Sequence, residues 1–158
     1  MIETYSDQVF TLASRSSHRT IDVNLAPGQT TSRAQRVDEG KMKHTTESSV
    51  EPDFLRITVT GEYDFDEMYG LINNISSEAA RTERDRVLID CSTIKEEMTE
   101  VERFKGGQMI AEIFGSRLKA ALVMPHITKL GEIAAVNRGA RFLVTTSKDE
   151  AVAWLMMY

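Results

Sequence analysis

The fold class is clearest between Ala120 and Leu155, where the sequence reads AALVMPHITKLGEIAAVNRGARFLVTTSKDEAVAWL. An apolar run is followed by an amphipathic segment that ends at Asn137-Arg138-Gly139, a pattern typical of a helix stop. A second apolar run, Ala140 to Thr145, precedes Ser147-Lys148-Asp149-Glu150, which has the spacing of a capping box. The order predicts strand, helix, strand and helix, with right-handed crossovers that make the strands parallel.

The same alternation extends back to about residue 42. Lys43 to Val50 and the strictly alternating Phe54 to Gly61 predict a β-hairpin. Asp64 is placed to cap a helix, Val87 to Ile89 is short and apolar like a strand covered on both faces, and Thr99 to Glu102 is a second capping box. The predicted fold class is therefore α/β, a mostly parallel sheet with an N-terminal antiparallel hairpin and four helices.

Apolar spacing also predicts which helix positions face the core. In the later helices these positions are Val101, Phe104, Ile110/Ala111 and Phe114, then Leu130, Ile133, Ala134 and Val136, and finally Ala151, Trp154 and Leu155. Thr128 is predicted to cap the third helix. Gly106-Gly107 lies inside the second helix, where glycine is unfavourable, which indicates close contact with another backbone or with a ligand.

The chain divides into two regions of different character. Residues 1–41 are rich in Ser, Thr, Arg and Gly without a sustained period, so we expect a poorly ordered or loosely packed N-terminal extension. A short strand at Gln8 to Ala13 would require something to dock on. An alternative is that translation begins at Met42. Residues 42–158 are the predicted α/β domain.

Composition excludes several classes of function. The net charge of −5, with basic residues scattered among acids, argues against nucleic-acid binding. Cys91 is the single cysteine, so an intrachain disulfide and an all-cysteine zinc site are excluded. The apolar runs are too short for a transmembrane segment, and the N-terminus has no secretory pattern, so we expect a cytoplasmic protein.

Particular residues from about Met42 to Leu155 resemble the STAS-like family, named for sulfate transporters and anti-sigma-factor antagonists. The SpoIIAA-like branch is the most similar, and it in turn resembles the Sec14/CRAL-TRIO lipid-binding core. The resemblance rests on the following segments: Glu102-Arg103-Phe104 with Gly106 or Gly107, Lys119 to Met124, Thr128-Lys129, Ala135 to Gly139, Phe142 to Thr145, Asp149 to Ala151 and Trp154-Leu155.

One turn departs from the family pattern. Anti-sigma-factor antagonists resemble one another in an Asp-Ser-Ser/Thr-Gly turn whose serine is phosphorylated at a helix N-terminus. The corresponding residues, Asp90 to Lys95, read DCSTIK, so the glycine is missing and the helix begins only at Thr99. The resemblance nevertheless implies Ser92 or Thr99 as positions for phosphorylation.

Polar residues follow several of the predicted strands. Ligands of open α/β sheets bind at the carboxyl ends of the strands, which predicts a ligand- or partner-binding edge. Its residues are Asp64, Asp90, Ser92, Thr93, Thr99 and His126. Carboxylates there could hold Mg²⁺, but Asp64 fits a cap better and Asp90 a turn. Cys91 fits a buried strand end better than a nucleophile served by His126. We predict no catalytic residue, metal or cofactor.

Three functions remain open, in this order. The first is a non-catalytic STAS-like regulatory or binding module that recognises a partner protein or a small apolar or anionic ligand. The second is a Sec14-type carrier of lipid or another apolar ligand, for which the frequent methionines suit an adaptable pocket as well as an ordinary core. The third is a phospho-switch. The apolar C-terminus, Met156 to Tyr158, favours a homodimer contact.

Overall fold

A single five-stranded sheet organises the part of the chain that the structure, a computed structural model, describes, namely residues 42–95 and 97–158. The strands are β1 (His44–Val50), β2 (Leu55–Gly61), β3 (Arg86–Asp90), β4 (Lys119–Val123) and β5 (Arg141–Thr145), and they are adjacent in that order. β1 and β2 are antiparallel, and every later pair is parallel. The predicted α/β class, with its leading hairpin, is confirmed.

Four helices connect or follow the strands of this region. They are α1 (Phe65–Arg81), α2 (Glu100–Phe114), α3 (Leu130–Val136) and α4 (Lys148–Met156). Asp64 caps α1 by accepting a hydrogen bond from the backbone N–H of Asp66 at 2.9 Å. Thr99 forms the predicted capping box of α2, and Ser147 caps α4. Gly139 adopts the predicted left-handed conformation after α3, with a φ of 89°.

The sheet is covered on both faces by different helices. Alternate strand residues such as Val87 and Ile89 join α1, α2 and α3 in one core cluster. Leu88, which points the other way, joins Ala151 and Leu155 of α4 in a second cluster. Because side chains alternate along a strand, this separation places three helices on one face and α4 on the other.

Helices α2 and α3 touch through glycine. A Cβ atom added at Gly107 would lie 2.1 Å from the backbone oxygen of Gly131 and 2.9 Å from the Ala134 Cβ. A Cβ at Gly106 would lie 2.9 Å from the Met68 sulfur. The prediction that Gly106-Gly107 marks a close backbone contact is confirmed.

This contact overturns four of the predicted core positions. Val101 and Phe104 on α2, and Ile133 and Val136 on α3, are exposed. The reason is that Gly107 on α2 meets Gly131 and Ala134 on α3, so the two backbones approach closely and these four larger side chains lie outside the contact.

The start of α3 also differs from the prediction. Thr128 does not cap it, because the helix begins at Leu130 after Lys129, which provides no side-chain cap. Lys129 and Glu132 instead form hydrogen bonds with the backbone of Val144 on the outer edge of β5. The Lys129 ammonium donates to the Val144 carbonyl oxygen at 2.9 Å, and Glu132 accepts from the Val144 N–H at 2.7 Å. These bonds occupy the backbone N–H and carbonyl of Val144, which an added strand would otherwise use.

The predicted extension over residues 1–41, with its strand at Gln8 to Ala13, lies outside the described residues. In the part of the chain that is described, no helix combines the length and apolar character required to cross a bilayer.

Candidate functional site

An apolar cavity of about 130 Å³ lies between the sheet and helices α1, α2 and α3. The lining includes one group from the helices and their leading loops, Met68, Leu71, Ile72, Ile75, Met98, Gly106, Gly107 and Ile110, and one from the strands, Ile89, Cys91, Leu122, Met124, Phe142 and Val144. Its wall is almost entirely carbon and sulfur. Glu62 and Thr128, both exposed, are part of the lining and mark where the cavity meets solvent at the carboxyl edge of the sheet.

Polar residues beside the hairpin close one end of the cavity. The buried His44 ring lies 2.7 Å from Glu67 through Nδ1, and the same carboxylate accepts the Lys43 backbone N–H at 3.1 Å. The Lys43 ammonium lies 2.7 Å from Asp64 and, as the main cause, holds the pKa of that carboxyl below its usual value. These contacts anchor β1 to the start of α1, so they have a structural role at the cavity wall.

Asp90, a predicted site residue, lies on the opposite side of the sheet from the cavity, facing α4. Its carboxylate is 2.7 Å from the Lys148 ammonium and accepts the Ser92 hydroxyl at 2.6 Å and the Ser92 N–H at 3.1 Å. Burial acts to raise the pKa of Asp90, but Lys148 and the two bonds from Ser92 outweigh it, and the net pKa is lowered. The Asp90–Ser92 turn therefore fixes the start of α4 against the end of β3.

We expect Lys148→Met to lower the free energy of unfolding by about 1–2 kcal/mol at pH 7, because a buried carboxylate loses its cation. The pKa of Asp90 is lowered in the folded protein, so its stabilising effect is complete above its unfolded value and is lost as the pH falls through the folded value. The difference between wild type and variant should accordingly shrink in acid. Urea denaturation at pH 7 and below pH 4 measures it. If Lys148→Met lowered the free energy of unfolding by the same amount in an Asp90→Asn protein, where the negative charge is already absent, this explanation would be contradicted.

The other predicted residues do not converge on one site. Thr93 and His126 are exposed, and Thr99 is engaged in the capping box with Glu102. Of the six predicted residues, Asp64 alone belongs to the cavity lining. Across residues 42–95 and 97–158 there is no group of three or more His, Cys, Asp or Glu side chains placed to hold a metal ion. Phosphorylation of Ser92 or Thr99 stays a prediction.

Sequence reasoning missed most of the cavity wall. The signal that was available was methionine, since Met68, Met98 and Met124 all line the cavity, whereas Met156 and Met157 are exposed at the C-terminus. Cys91 is buried, as predicted, and its side of β3 faces the cavity.

Comparison with solved structures places this arrangement among known folds. The chain is similar to the crystal structure of an anti-sigma factor antagonist from Mycobacterium paratuberculosis, with a TM-score of 0.52 and 17% sequence identity over 72% of this chain and 95% of that one. The protein has a STAS-like fold. This confirms the resemblance seen in the sequence.

A second solved structure of related description is an uncharacterised DUF3478-family protein with a SpoIIAA-like fold from Shewanella loihica PV-4. Its TM-score is 0.40, at 17% identity over 71% of this chain and 93% of that one. No protein-family model matches the sequence, and no curated protein matches it significantly. At 17% identity, the first of these two structures shows the STAS-like fold and not the function.

Proposed function

We propose that this protein is a non-catalytic, cytoplasmic STAS-like binding module that holds a small apolar molecule in the cavity between the sheet and α1, α2 and α3. The observation that carries the proposal is the cavity itself, an apolar space at the carboxyl edge of the sheet, which is where open α/β sheets bind ligands. An apolar surface around a partly enclosed space favours an apolar occupant.

The volume of the cavity favours a small apolar molecule over a lipid. About 130 Å³ is close to the roughly 150 Å³ of an engineered apolar cavity that holds benzene, and it is below the roughly 300–1,000 Å³ of pockets for drug-sized molecules. A two-chain lipid of the Sec14 type exceeds this space several-fold. The geometry therefore supports a ligand of about one ring or a short alkyl chain.

The polar groups of the wall support a binding role without catalysis. His44 is held by Glu67, and Asp64 by Lys43 and by the N–H of Asp66. His44 and Asp64 line the cavity, but each is already engaged at the start of β1 or α1, so we propose no acid or base role for either.

We expect benzene at about ten times its dissociation constant to stabilise the protein by about 1.4 kcal/mol, which corresponds to a rise in melting temperature of about 3–6 °C. Leu122→Phe, which places a ring inside the cavity, should abolish the rise. Leu143→Phe is the matched control, because Leu143 packs against α4 on the other face of the sheet. Differential scanning calorimetry measures both. Equal responses of the two variants, or no response of the wild type, would contradict the proposal.

A second function, recognition of another protein, is favoured by an exposed apolar surface. Val101, Phe104, Ile133 and Val136 belong to the two helices that cross at the glycine contact, and we call them the α2–α3 surface. The Arg138 guanidinium lies 5.4 Å from the centre of the Phe104 ring. Aromatic and Arg side chains of this kind are enriched where proteins dock.

Sedimentation distinguishes the occupants of this surface. A dimer that Ile133→Lys dissociates would place a second copy on the α2–α3 surface. A dimer that Met157→Lys dissociates would support the predicted C-terminal homodimer contact. If the protein is a monomer at all accessible concentrations, the α2–α3 surface remains for a different protein. An anti-sigma-factor antagonist needs such a protein partner for its regulatory role.

A further inference from the structure

Sulfur is unusually frequent in the wall of the cavity. Met68 contributes from α1, Met98 from the loop before α2, and Met124 and Cys91 from the ends of β4 and β3. Two of them, Met68 and Met98, lie on the helix side of the space, whereas Cys91 and Met124 lie side by side at the ends of the neighbouring strands β3 and β4. A ligand inside would therefore have sulfur-bearing side chains on its helix side and on its sheet side.

Thioether sulfur distinguishes between apolar ligands of equal size. A methionine sulfur about 5 Å from an aromatic ring, often near its edge, contributes favourably beyond the burial of apolar area, and a saturated ring receives no such contribution. Phe142 in the same wall adds an aromatic neighbour, which favours a stacked or edge-to-face ring. Methionine is also flexible enough to adjust to a planar guest.

The charges at the cavity favour an uncharged ligand. Glu62 and Asp64 carry negative charge in the lining, and Arg103 is the single Lys or Arg side chain that the described lining contains. An anion inside would lose its hydration against an almost wholly apolar wall, whose described lining has no excess of cationic side chains to compensate it. Desolvation alone also disfavours a cation.

We propose that the ligand of the cavity is a neutral single-ring aromatic molecule, which is recognised through contacts with the methionines of the cavity wall. This inference rests on the proposed function, because it names the class of molecule that the same cavity takes. It adds that selection is by sulfur–ring contact and not by hydrophobicity alone.

Titration calorimetry of the full chain with three neutral rings tests the inference. Benzene is compared with cyclopentane, which is close to it in volume, and with the larger cyclohexane, each below its solubility limit. Cyclohexane is the more hydrophobic molecule, so hydrophobicity alone predicts that it binds best. We expect benzene to bind at least about threefold tighter than either saturated ring, and benzoate to bind at least about tenfold weaker than benzene.

A variant identifies the source of the preference. Met68→Leu combined with Met124→Leu keeps the wall apolar and should remove most of the preference for benzene. Met109→Leu is the control, because Met109 packs against the core without lining the cavity.

Saturated rings that bind as tightly as benzene, or an unchanged preference in the double variant, would overturn the inference and leave the proposed function intact. If benzoate bound more tightly than benzene, the inference that the ligand is uncharged would be overturned. Failure of all three neutral rings to bind would overturn the proposed function itself.

Discussion

Gly107→Ala is expected to lower the free energy of unfolding by about 3 kcal/mol or more. The added methyl group would lie 2.1 Å from the Gly131 carbonyl oxygen and 2.9 Å from the Ala134 Cβ, and the first of these atoms is backbone that a rotamer change cannot move. The two helices would have to separate, which would open the core beneath them and leave the close contact unfilled. Overpacking that requires backbone movement is among the few causes of such large losses.

Two glycines in the same fold are matched controls for this change. At Gly70, in the exposed part of α1, no atom lies within 4 Å of an added Cβ, so Gly70→Ala should stabilise the protein by about 0.5–1 kcal/mol through helix propensity. Gly106→Ala should fall between the two, because the Met68 side chain that it meets can move. Urea denaturation monitored by circular dichroism gives all three values. A Gly107→Ala protein as stable as wild type would show that the α2–α3 contact is not as close as described.

The second large effect is expected at Lys119, whose ammonium is buried beneath the end of α4. It donates to the carbonyl oxygens of Trp154 at 2.5 Å and of Leu155 at 3.3 Å, and also to that of Met157. It lies 4.6 Å from the centre of the Trp154 ring. Burial, with smaller contributions from Arg141 and Arg86, lowers its pKa. The carbonyl groups that a helix leaves unpaired at its C-terminus, together with the ring face, compensate the buried charge.

Lys119→Met should therefore reduce the free energy of unfolding by about 2–3 kcal/mol, because the apolar replacement leaves the last carbonyls of α4 without their donor. Lys105→Met is the control, since Lys105 is exposed on α2 and its removal should cost less than about 0.5 kcal/mol. Hydrogen exchange at α4 should rise selectively in the Lys119 variant. Equal protection of α4 in both variants would argue against this role of the buried lysine.

Local signals were sufficient to predict most of the fold. Asp64, Thr99 and Ser147 are cap residues at helix starts, and Gly139 supplies a left-handed stop, so each boundary was set by a few neighbouring residues. The alternation in β2 identified its buried face because a strand has a period of exactly two. Such signals do not depend on what an element packs against.

The orientation of α2 and α3 depended on packing that no local pattern records. Apolar spacing pointed Val101 and Ile133 inward, but the glycine contact brings the helices together through their smallest residues and leaves those side chains exposed. The amphipathic pattern counts large apolar residues as core, so an interface made of Gly and Ala is invisible to it. The outward apolar residues that caused the error now form the α2–α3 surface.

The cavity opens at the edge of the sheet that was predicted to bind ligands, and of the six predicted residues Asp64 alone lines it. Polar side chains after strands suggested the edge, yet Ser92 bonds to Asp90, and Asp90 in turn bonds to Lys148 of α4. The cavity is built from residues on three helices, four strands and their loops, which have no fixed spacing in the sequence. The methionines were its one compositional trace.

Methyl NMR of methionine tests the central claim most directly. With benzene added to protein labelled at the methionine methyl groups, we predict saturable shifts of Met68, Met98 and Met124, the three methionines that line the cavity, and none at the exposed Met157. Shifts confined to Met156 and Met157, or no saturable shift at any methionine, would contradict a ligand-binding cavity.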